Sequence, residues 1–406
     1  MKQSGSADMP LYGGSIPPWL FERMTKLGLA MTEAILMEYG TKGWLSRMSD
    51  PFWFQSFGAV IGMDWNSSGV TTAVMAALKK ALNPHARDLG LYICGGKGKQ
   101  SQQTPTELIR IGDHTGLDGL QLARHSKLSA KVDNTAIQDG FQIYQHNFLL
   151  DKEGNWSVVQ QGMQAESGMA RRYHWHSDAV QSFVEEPHTF ILGENQGEII
   201  NMVDKRALPS QSVMLEMTKE KPEKMIQEIQ KMVLPSYCDV KVSDINPKRL
   251  AALFQVTRET PPENFEELLL TKGVGPRTVQ SLALVSEVIY GKPSRFQDPA
   301  RFSFAHGGKS GKPFAVPTYT YDETISTLEK AVQQAKVGEP DKQKALEKLH
   351  KVVTRAEARI ESVENPKEGF QKAIQHERDN SWRYGGRTPK GWEKPPKPKQ
   401  LGLFDE

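Results

Sequence analysis

Side chains that can bind metal or phosphate are concentrated in residues 127–178. The segment KLSAKVDN alternates apolar and polar residues, which predicts a strand with Lys131 and Asp133 on one face. A carboxylate can hold a divalent metal and a lysine ammonium can neutralise a phosphate, so this pair is typical of phosphodiester chemistry. We predict Lys131 and Asp133 as catalytic residues, with Asp139 and Gln161 from the same segment.

A hairpin is predicted directly after this strand. FQIYQHNFLL and WSVVQQGM are separated by DKEGN, in which Gly154 can supply the positive φ of a short loop. The segment ARRYHWHSD then places two arginines and two histidines close together. Such side chains are costly to bury unless each finds a partner. We interpret this segment, including Arg171 and Arg172, as one wall of an active or nucleic-acid-binding site.

Carboxylate and imidazole side chains of the same region form a predicted metal-binding set. The predicted ligands are Asp133, His146, His174 and His176. Mixed oxygen and nitrogen ligands suit Mn²⁺ or Zn²⁺ better than Mg²⁺ alone, so we expect a divalent metal cofactor (Mn, Zn or Mg). The alternative is that these side chains only satisfy buried backbone groups, which is the ordinary role of an isolated buried histidine such as His146.

The composition excludes several classes of protein. Two cysteines among 406 residues rule out a disulfide framework and a cysteine-based zinc or iron–sulfur site, and they suit a reducing cytoplasm. No apolar run approaches the length of a membrane span, and MKQSGSADMP lacks the apolar centre of a signal peptide. The net charge of +3 means that nucleic-acid binding must come from local basic patches.

The segment LGLYICGGKGK predicts a buried strand that continues into a glycine-rich loop. Glycines let backbone N–H groups approach an anion closely, and Lys97 and Lys99 add positive charge. It is not a Walker A loop, because Ile93 stands where the first glycine belongs and Gln100 where Ser or Thr belongs. Contact with a polynucleotide backbone is the functional hypothesis, and a flexible surface turn is the alternative.

A second glycine motif lies in LLLTKGVGPRTVQSLALVSEVIYG, between two predicted helices. It resembles the helix-hairpin-helix motif of DNA repair and recombination proteins, in which glycines let backbone N–H groups hold a phosphate regardless of base sequence. The residues assigned to DNA binding here are Lys272, Gly273, Gly275, Arg277 and Thr278.

A glycosylase branch of the same motif family is the less favoured reading. Its bifunctional members place a Schiff-base lysine before the threonine, where this chain has Arg277. Arginine stays protonated and cannot form that adduct. Asp298 lies at about the distance of that branch's catalytic aspartate, so a monofunctional glycosylase stays open.

Many motifs in the same order resemble one family over roughly residues 3–330. Together these motifs resemble domain-of-unknown-function family 763 of bacteria and archaea. They are GSADMPLYGG, PPWLFERM, DPFWFQSFG, DWNSSGVTT, GGKGK, KVDN, QDGFQIYQH, VVQQGM, ARRYHW and FSFAHGGK. The resemblance implies a DNA-associated protein suspected of metal-dependent nuclease activity. Tyr12 stands where the resemblance leads us to expect histidine, which puts a ligand at that position in doubt.

A helix is expected from about Pro18 and a second over residues 31–39, ended by Gly40.

The C-terminal part is predicted to be an arm and a tether. Residues 341–375 predict a charged, solvated helix. A proline- and lysine-rich tether then leads to QLGLF, which resembles the pentapeptide that binds the bacterial sliding clamp. The clamp-binding residues are Gln400, Leu401, Leu403 and Phe404.

We therefore expect an α+β fold with four parts. These are a mixed catalytic region over 1–235 with an antiparallel hairpin core, a helix-hairpin-helix region over 236–330, an arm over 331–388 and a tether over 389–406. The favoured function is a metal-dependent DNA nuclease in replication-linked repair, located in the cytoplasm with the nucleoid. The alternative is a non-enzymatic, clamp-tethered protein that binds DNA structures.

Overall fold

The fold is α+β, as predicted, with antiparallel strands and a larger helical part. The computed structural model describes residues 9–10, 16–63, 68–164, 169–220, 247–300 and 318–357, giving the backbone alone at 9–10, 247–249, 318–324 and 352–357. The strands are β1 (Met9–Pro10), β2 (Leu91–Lys97), β3 (Ile137–Gln138), β4 (Gln142–Asp151), β5 (Trp156–Gln164), β6 (Met169–His176), β7 (Phe190–Leu192), β8 (Glu198–Asn201) and β9 (Arg295–Gln297).

The helices surround these strands. They are α1 (Pro18–Met48), α2 (Pro51–Ile61), α3 (Gly69–Leu82), α4 (Ala86–Leu89), α5 (Thr104–Thr115), α6 (Gly119–Lys131), α7 (Leu208–Lys219), α8 (Pro247–Glu259), α9 (Phe265–Leu270), α10 (Pro276–Tyr290), α11 (Thr318–Gln334) and α12 (Glu339–Glu357). A π-helical turn, Val132–Ala136, follows α6. No helix that the structure describes is long and apolar enough to cross a membrane.

A six-stranded antiparallel sheet forms the centre, in the order β1–β6–β5–β4–β2 with β7 beside β6. The predicted hairpin is confirmed as β4 and β5, and Gly154 in its loop has φ 88°. Alternating side chains of each strand face opposite sides of the sheet, so the sheet separates two apolar clusters. This division decides which of the predicted site residues can meet.

One face of the sheet is covered by α1, α2 and α3. Leu149 of β4 and Val159 of β5 join this apolar cluster, which also takes in residues from α11 and α12. Two sequence predictions are wrong here. The first 31 residues from Pro18 form a single helix broken only at Gly40, which has φ 67°. The charged arm is helical but not simply solvated, because Ala345 and Leu349 are only 1% and 2% exposed.

The other face is covered by α6, the π-helical turn, α7 and the helices α8 to α10, together with a small sheet in the order β3–β8–β9. The predicted strand at residues 127–133 is wrong, since this segment is the end of α6 and the start of the π-helical turn. Ser126, Ser129 and Leu128 are all buried, a spacing that fits a helical face. Lys131 is therefore the last residue of a helix, and Asp133 lies in the π-helical turn that follows it.

The edge of the main sheet at β2 is covered by side chains. Among the described strands β2 pairs only with β4. Asn83 Nδ2 donates to Ile93 O at 2.9 Å, and Asn83 Oδ1 accepts from Ile93 N at 3.0 Å. Two residues further on, Gly95 N donates to Glu107 Oε2 at 2.6 Å and Gly95 O accepts from Lys79 Nζ at 2.8 Å. The outward backbone groups of both residues thus have partners.

Candidate nucleic-acid interface

The pair α9 and α10 with its connecting residues 271–275, named here the 265–290 hairpin, presents an exposed glycine loop. Gly273 has φ 90°, and Gly275 has the extended φ and ψ of −147° and −176°. A Cβ added at either position would meet no atom within 4 Å. Within the described residues, neither Gly275 N nor Arg277 N donates a hydrogen bond. The start of α10 therefore offers two backbone donors at an open surface.

The predicted DNA-binding residues of the loop fall into two groups. Lys272 and Arg277 are exposed on either side of the glycines. Thr278 is different, because its side chain is buried and Oγ1 donates to Gly273 O at 3.3 Å. The Thr278 side chain thus stabilises the conformation of the loop. The prediction that it contacts DNA does not fit this geometry.

Lys131 supports this loop from behind. Its Nζ donates to Val274 O at 2.5 Å, and burial lowers the pKa of Lys131 from its ordinary value. Gln138 Nε2 donates to Pro276 O at 2.8 Å from the neighbouring strand β3. The predicted catalytic role of Lys131 does not fit this arrangement, because its ammonium is directed at a hairpin carbonyl.

Asp133 lies in the interior with both carboxylate oxygens engaged. Gln160 Nε2 donates to Oδ2 at 2.5 Å and Trp175 Nε1 donates to the same oxygen at 3.0 Å. His188 Nε2 contacts Oδ1 in a very short hydrogen bond. Burial raises the pKa of Asp133, against the lowering effect of His188. The side chain is 0% exposed, so this geometry leaves no position for a metal or a phosphate.

His146 belongs to the same buried chain of hydrogen bonds. Its Nδ1 lies 2.8 Å from Gln160 Oε1, and its Nε2 lies 2.8 Å from Ser126 Oγ. Since the amide oxygen can only accept, Nδ1 carries the proton and Nε2 accepts from the serine hydroxyl. Burial lowers the pKa of His146 to about 4. The neutral imidazole thus has both ring nitrogens in hydrogen bonds, which leaves neither of them to bind a metal.

Asp139 is part of a buried ion cluster. Arg171 Nη1 donates to Asp139 Oδ2 at 2.6 Å, and Arg171 Nη2 donates to Asp298 Oδ2 at 2.7 Å. Tyr173 Oη donates to Asp139 Oδ2 at 2.6 Å. These side chains are fully or almost fully buried, which makes Arg171 unable to reach a DNA backbone. Asp298 is equally committed, so the geometry gives no support to the glycosylase alternative.

Arg172 faces the opposite side of the sheet, towards α2. Its Nε donates to His174 Nε2 at 2.9 Å and its Nη1 to Gln55 Oε1 at 3.1 Å, while its guanidinium lies 4.7 Å from the ring centroid of Phe54. No carboxylate contacts it within the described residues. Burial lowers the pKa of Arg172 to about 9. This residue too is 0% exposed and cannot contact DNA.

Gln161 lies near Arg172 on the same face of the sheet. Its Nε2 donates to Ser68 O at 2.9 Å, and it makes very short hydrogen bonds with Thr71 Oγ1 and Tyr144 Oη. Each polar atom of the amide therefore has a protein partner. The residue links the sheet to the start of α3, which explains its burial without a catalytic role.

The predicted metal ligands do not converge. Asp133 and His146 face the cluster around α6, whereas His174 and His176 are on the other side of the sheet. His174 is held by Met48 O at 3.2 Å, and His176 Nδ1 accepts from Asp178 N at 3.2 Å. In the described ranges no group of three or more His, Cys, Asp or Glu is placed to hold a metal ion. The set proposed from the sequence does not fit a single site.

The end of β2 differs from the predicted loop. Gly95 lies within the strand at φ 85°, and an added Cβ would be 2.1 Å from His146 O. This glycine is therefore required by packing between strands, not by approach to an anion. Lys97 and Lys99 are exposed just beyond it, and Lys97 Nζ lies 5.7 Å from the ring centroid of Tyr144. Within residues 91–99, Lys97 and Lys99 are thus the predicted phosphate contacts that stay exposed.

Several predicted positions lie outside the described residues. They are Tyr12 and the clamp-binding residues Gln400, Leu401, Leu403 and Phe404.

Other residues of the buried network were missed by the sequence interpretation. Gln160 shares the inward alternation of Trp156 and Val158, a signal that could have identified it, whereas His188 lies in irregular structure with no pattern to reveal its role.

The chain is an α+β protein whose 265–290 hairpin carries an exposed glycine loop and whose central sheet has an apolar cluster on each face. Residues 5–316 match the family described as "Protein of unknown function (DUF763)", and the chain belongs to that family. No curated protein matches the sequence, and no solved structure matches it.

Proposed function

We propose that this chain binds DNA through backbone phosphates and that the 265–290 hairpin, a helix-hairpin-helix motif, makes the principal contact. The observation that carries the proposal is the pair of N–H groups of Gly275 and Arg277, which have no partner among the residues that the structure describes and lie at an open helix start. Glycine there lets a phosphate oxygen approach the backbone, and the helix dipole favours negative charge. Such a contact carries no base information, so binding is independent of sequence.

Exposed positive charges beside the loop and at the end of β2 support the same function. Lys272 and Arg277 are exposed beside the glycines. Lys97 and Lys99 lie near the start of β4, because Lys97 pairs with Gln145. Each lysine or arginine that neutralises a phosphate releases a counterion, so we expect affinity to fall steeply with salt.

A matched pair of variants at Gly275 tests the proposal. Gly275 is the N-cap of α10, where both Asp and Asn are favourable and where a new side chain meets open space. Gly275→Asp therefore keeps the fold but places a negative charge where the phosphate would bind. Gly275→Asn adds a side chain of the same shape without the charge.

Fluorescence anisotropy with labelled duplex and single-stranded DNA of two unrelated sequences gives the measurement. We expect Gly275→Asp to lower affinity about tenfold or more relative to Gly275→Asn, equally for both sequences, and the difference to shrink with added salt. Circular dichroism and thermal unfolding check that both variants fold. Equal affinity of the two folded variants would refute the phosphate contact.

Nuclease activity stays a prediction. Among the described residues, no group of three or more His, Cys, Asp or Glu is placed to hold the metal ion that it would need. Incubating the full chain with labelled single-stranded, duplex and bubble DNA, with and without Mg²⁺, Mn²⁺ or Zn²⁺, separates a nuclease from a protein that only binds. Product bands that depend on an added metal would establish the enzyme. Unchanged substrate in every reaction favours the non-enzymatic alternative.

Binding to a bacterial sliding clamp is proposed from QLGLF alone. Leu403 and Phe404 are suited to an apolar pocket and Gln400 to its polar rim. A peptide of residues 395–406 is expected to bind a clamp with an affinity in the roughly micromolar range of short motifs. Leu403→Ala or Phe404→Ala should remove most of the binding, and an unaffected titration would show that the motif is accidental.

A further inference from the structure

The phosphate-binding loop is attached to the rest of the fold through its carbonyl groups. Lys131 Nζ donates to Val274 O at 2.5 Å, and Gln138 Nε2 donates to Pro276 O at 2.8 Å. Both acceptors directly flank Gly275. Gly275 N and Arg277 N thus have no partner among the described residues, while the carbonyls of Val274 and Pro276 accept hydrogen bonds from side chains of α6 and β3.

The support behind these two donors is rigid. Lys131 is the last residue of α6, and the π-helical turn that follows it contains Asp133. Gln160 and Trp175, from β5 and β6, donate to that carboxylate at 2.5 and 3.0 Å. The turn is thus fixed to the central sheet by buried hydrogen bonds, which are stronger and less mobile than exposed ones.

A further polar contact between α6 and the hairpin is weak. Arg124 Nη2 lies 3.4 Å from Glu266 Oε2, and the side chains are 39% and 24% exposed. A partly exposed ion pair at that distance contributes little to orientation. Apolar packing places the two hairpin helices, since Leu128, Phe265 and Val274 share one buried cluster, and Lys131 and Gln138 add the hydrogen bonds that reach the loop carbonyls.

We propose that Lys131 and Gln138 are positioning residues that hold the glycine loop in its DNA-binding orientation. This inference rests on the proposed function of the hairpin. Lys131 acts through Val274 O and does not itself contact phosphate, although its charge suggests that role from sequence. Removing the hydrogen bond lowers the fraction of molecules with a competent loop, and the apparent affinity falls by the same factor.

Lys131→Met tests this role because it keeps most of the aliphatic stem and removes the N–H donors. Lys127→Met is the matched control, since Lys127 is an exposed lysine one turn earlier on the same helix. We expect Lys131→Met to weaken DNA binding about three- to tenfold more than Lys127→Met, the factor that corresponds to one net hydrogen bond. Gln138→Met provides a second variant of the same kind in case Lys131→Met does not fold.

Salt dependence separates positioning from direct contact. A lysine that neutralises a phosphate contributes about one unit to the slope of log affinity against log salt concentration. We expect Lys131→Met to keep the wild-type slope. A slope reduced by about one unit would mean that Lys131 binds DNA directly, and it would overturn the proposal.

Hydrogen exchange tests the positioning without DNA. Val274 N donates to Thr271 O at 3.1 Å and Thr278 N to Gly275 O at 2.9 Å, so both amides report on the order of the loop. We expect faster exchange at both in Lys131→Met and wild-type exchange in Lys127→Met. Unchanged exchange, or faster exchange with unchanged affinity, overturns the inference. If the wild-type chain binds no DNA, the proposed function fails while the exchange result still decides whether Lys131 orders the loop.

Discussion

The neutral, buried His146 should make the stability of the fold sensitive to mild acid. Burial lowers the pKa of His146 from its ordinary value of 6.5 to about 4, because the interior disfavours the charged imidazolium, and the hydrogen bond with Gln160 opposes this only in part. In the unfolded chain His146 takes up a proton below pH 6.5, while the folded state resists doing so. The stabilisation is therefore complete above pH 6.5 and is lost as the pH falls towards 4.

The size of the effect follows from that difference. About 1.4 kcal/mol per pKa unit gives a loss of about 3 kcal/mol between neutral pH and pH 4, and about 2 kcal/mol of it should be lost by pH 5. Buried carboxylates act in the opposite direction, since the pKa values of Asp133 and Asp139 are raised. A comparison with a His146 variant is therefore needed to isolate the histidine.

His146→Gln removes the titration and keeps a neutral polar side chain. Urea unfolding of both proteins at pH 8 and pH 5 gives the free energies. The advantage of the wild type over His146→Gln should be about 2 kcal/mol smaller at pH 5 than at pH 8. An advantage that does not change with pH would refute the enclosed, neutral imidazole.

Two further predictions concern packing and charge. Gly95→Ala should destabilise the fold by more than about 2 kcal/mol, because its Cβ would lie 2.1 Å from His146 O, whereas Gly98→Ala, at φ 58° with no atom within 4 Å, should cost about 1 kcal/mol. Thermal unfolding of the two variants measures the difference, and equal losses would contradict the close strand contact. Arg171→Met should cost about 3–5 kcal/mol by leaving two buried carboxylates without their cation, and a loss below about 1 kcal/mol in urea unfolding would contradict that ion cluster.

The elements predicted correctly are those with one unambiguous pattern. The β4–β5 hairpin has alternation on both arms and a glycine in the loop, and the glycine loop at residues 271–275 lies between two amphipathic segments. Residues 127–133 failed because LSAKVD also satisfies a helical spacing. The buried face of α6 includes two polar residues, Ser126 and Ser129. The sequence therefore lacks a clear helical pattern of apolar residues, and its alternation predicts a strand instead.

The candidate site was harder to predict than the fold. The density of polar side chains around residues 133–176 predicts one wall of an active or nucleic-acid-binding site, whereas Asp133, Arg171 and Arg172 are buried and bonded to other protein groups. Alternation assigns only which residues share a face within one strand. It does not say that Asp133 and His174 end up on opposite sides of the same sheet. The roles of Lys131 and Gln138 depend on contacts with a loop more than 130 residues away in sequence, which no local pattern contains.

The covered edge at β2 has a consequence for self-association. A free edge strand offers a row of donors and acceptors on which a second chain can extend the sheet. Here Asn83 binds both backbone groups of Ile93, while Glu107 and Lys79 bind those of Gly95. Loss of the Asn83 side chain would leave an open template next to a buried apolar strand. These three polar side chains thus block the addition of a strand from a second molecule at the β2 edge.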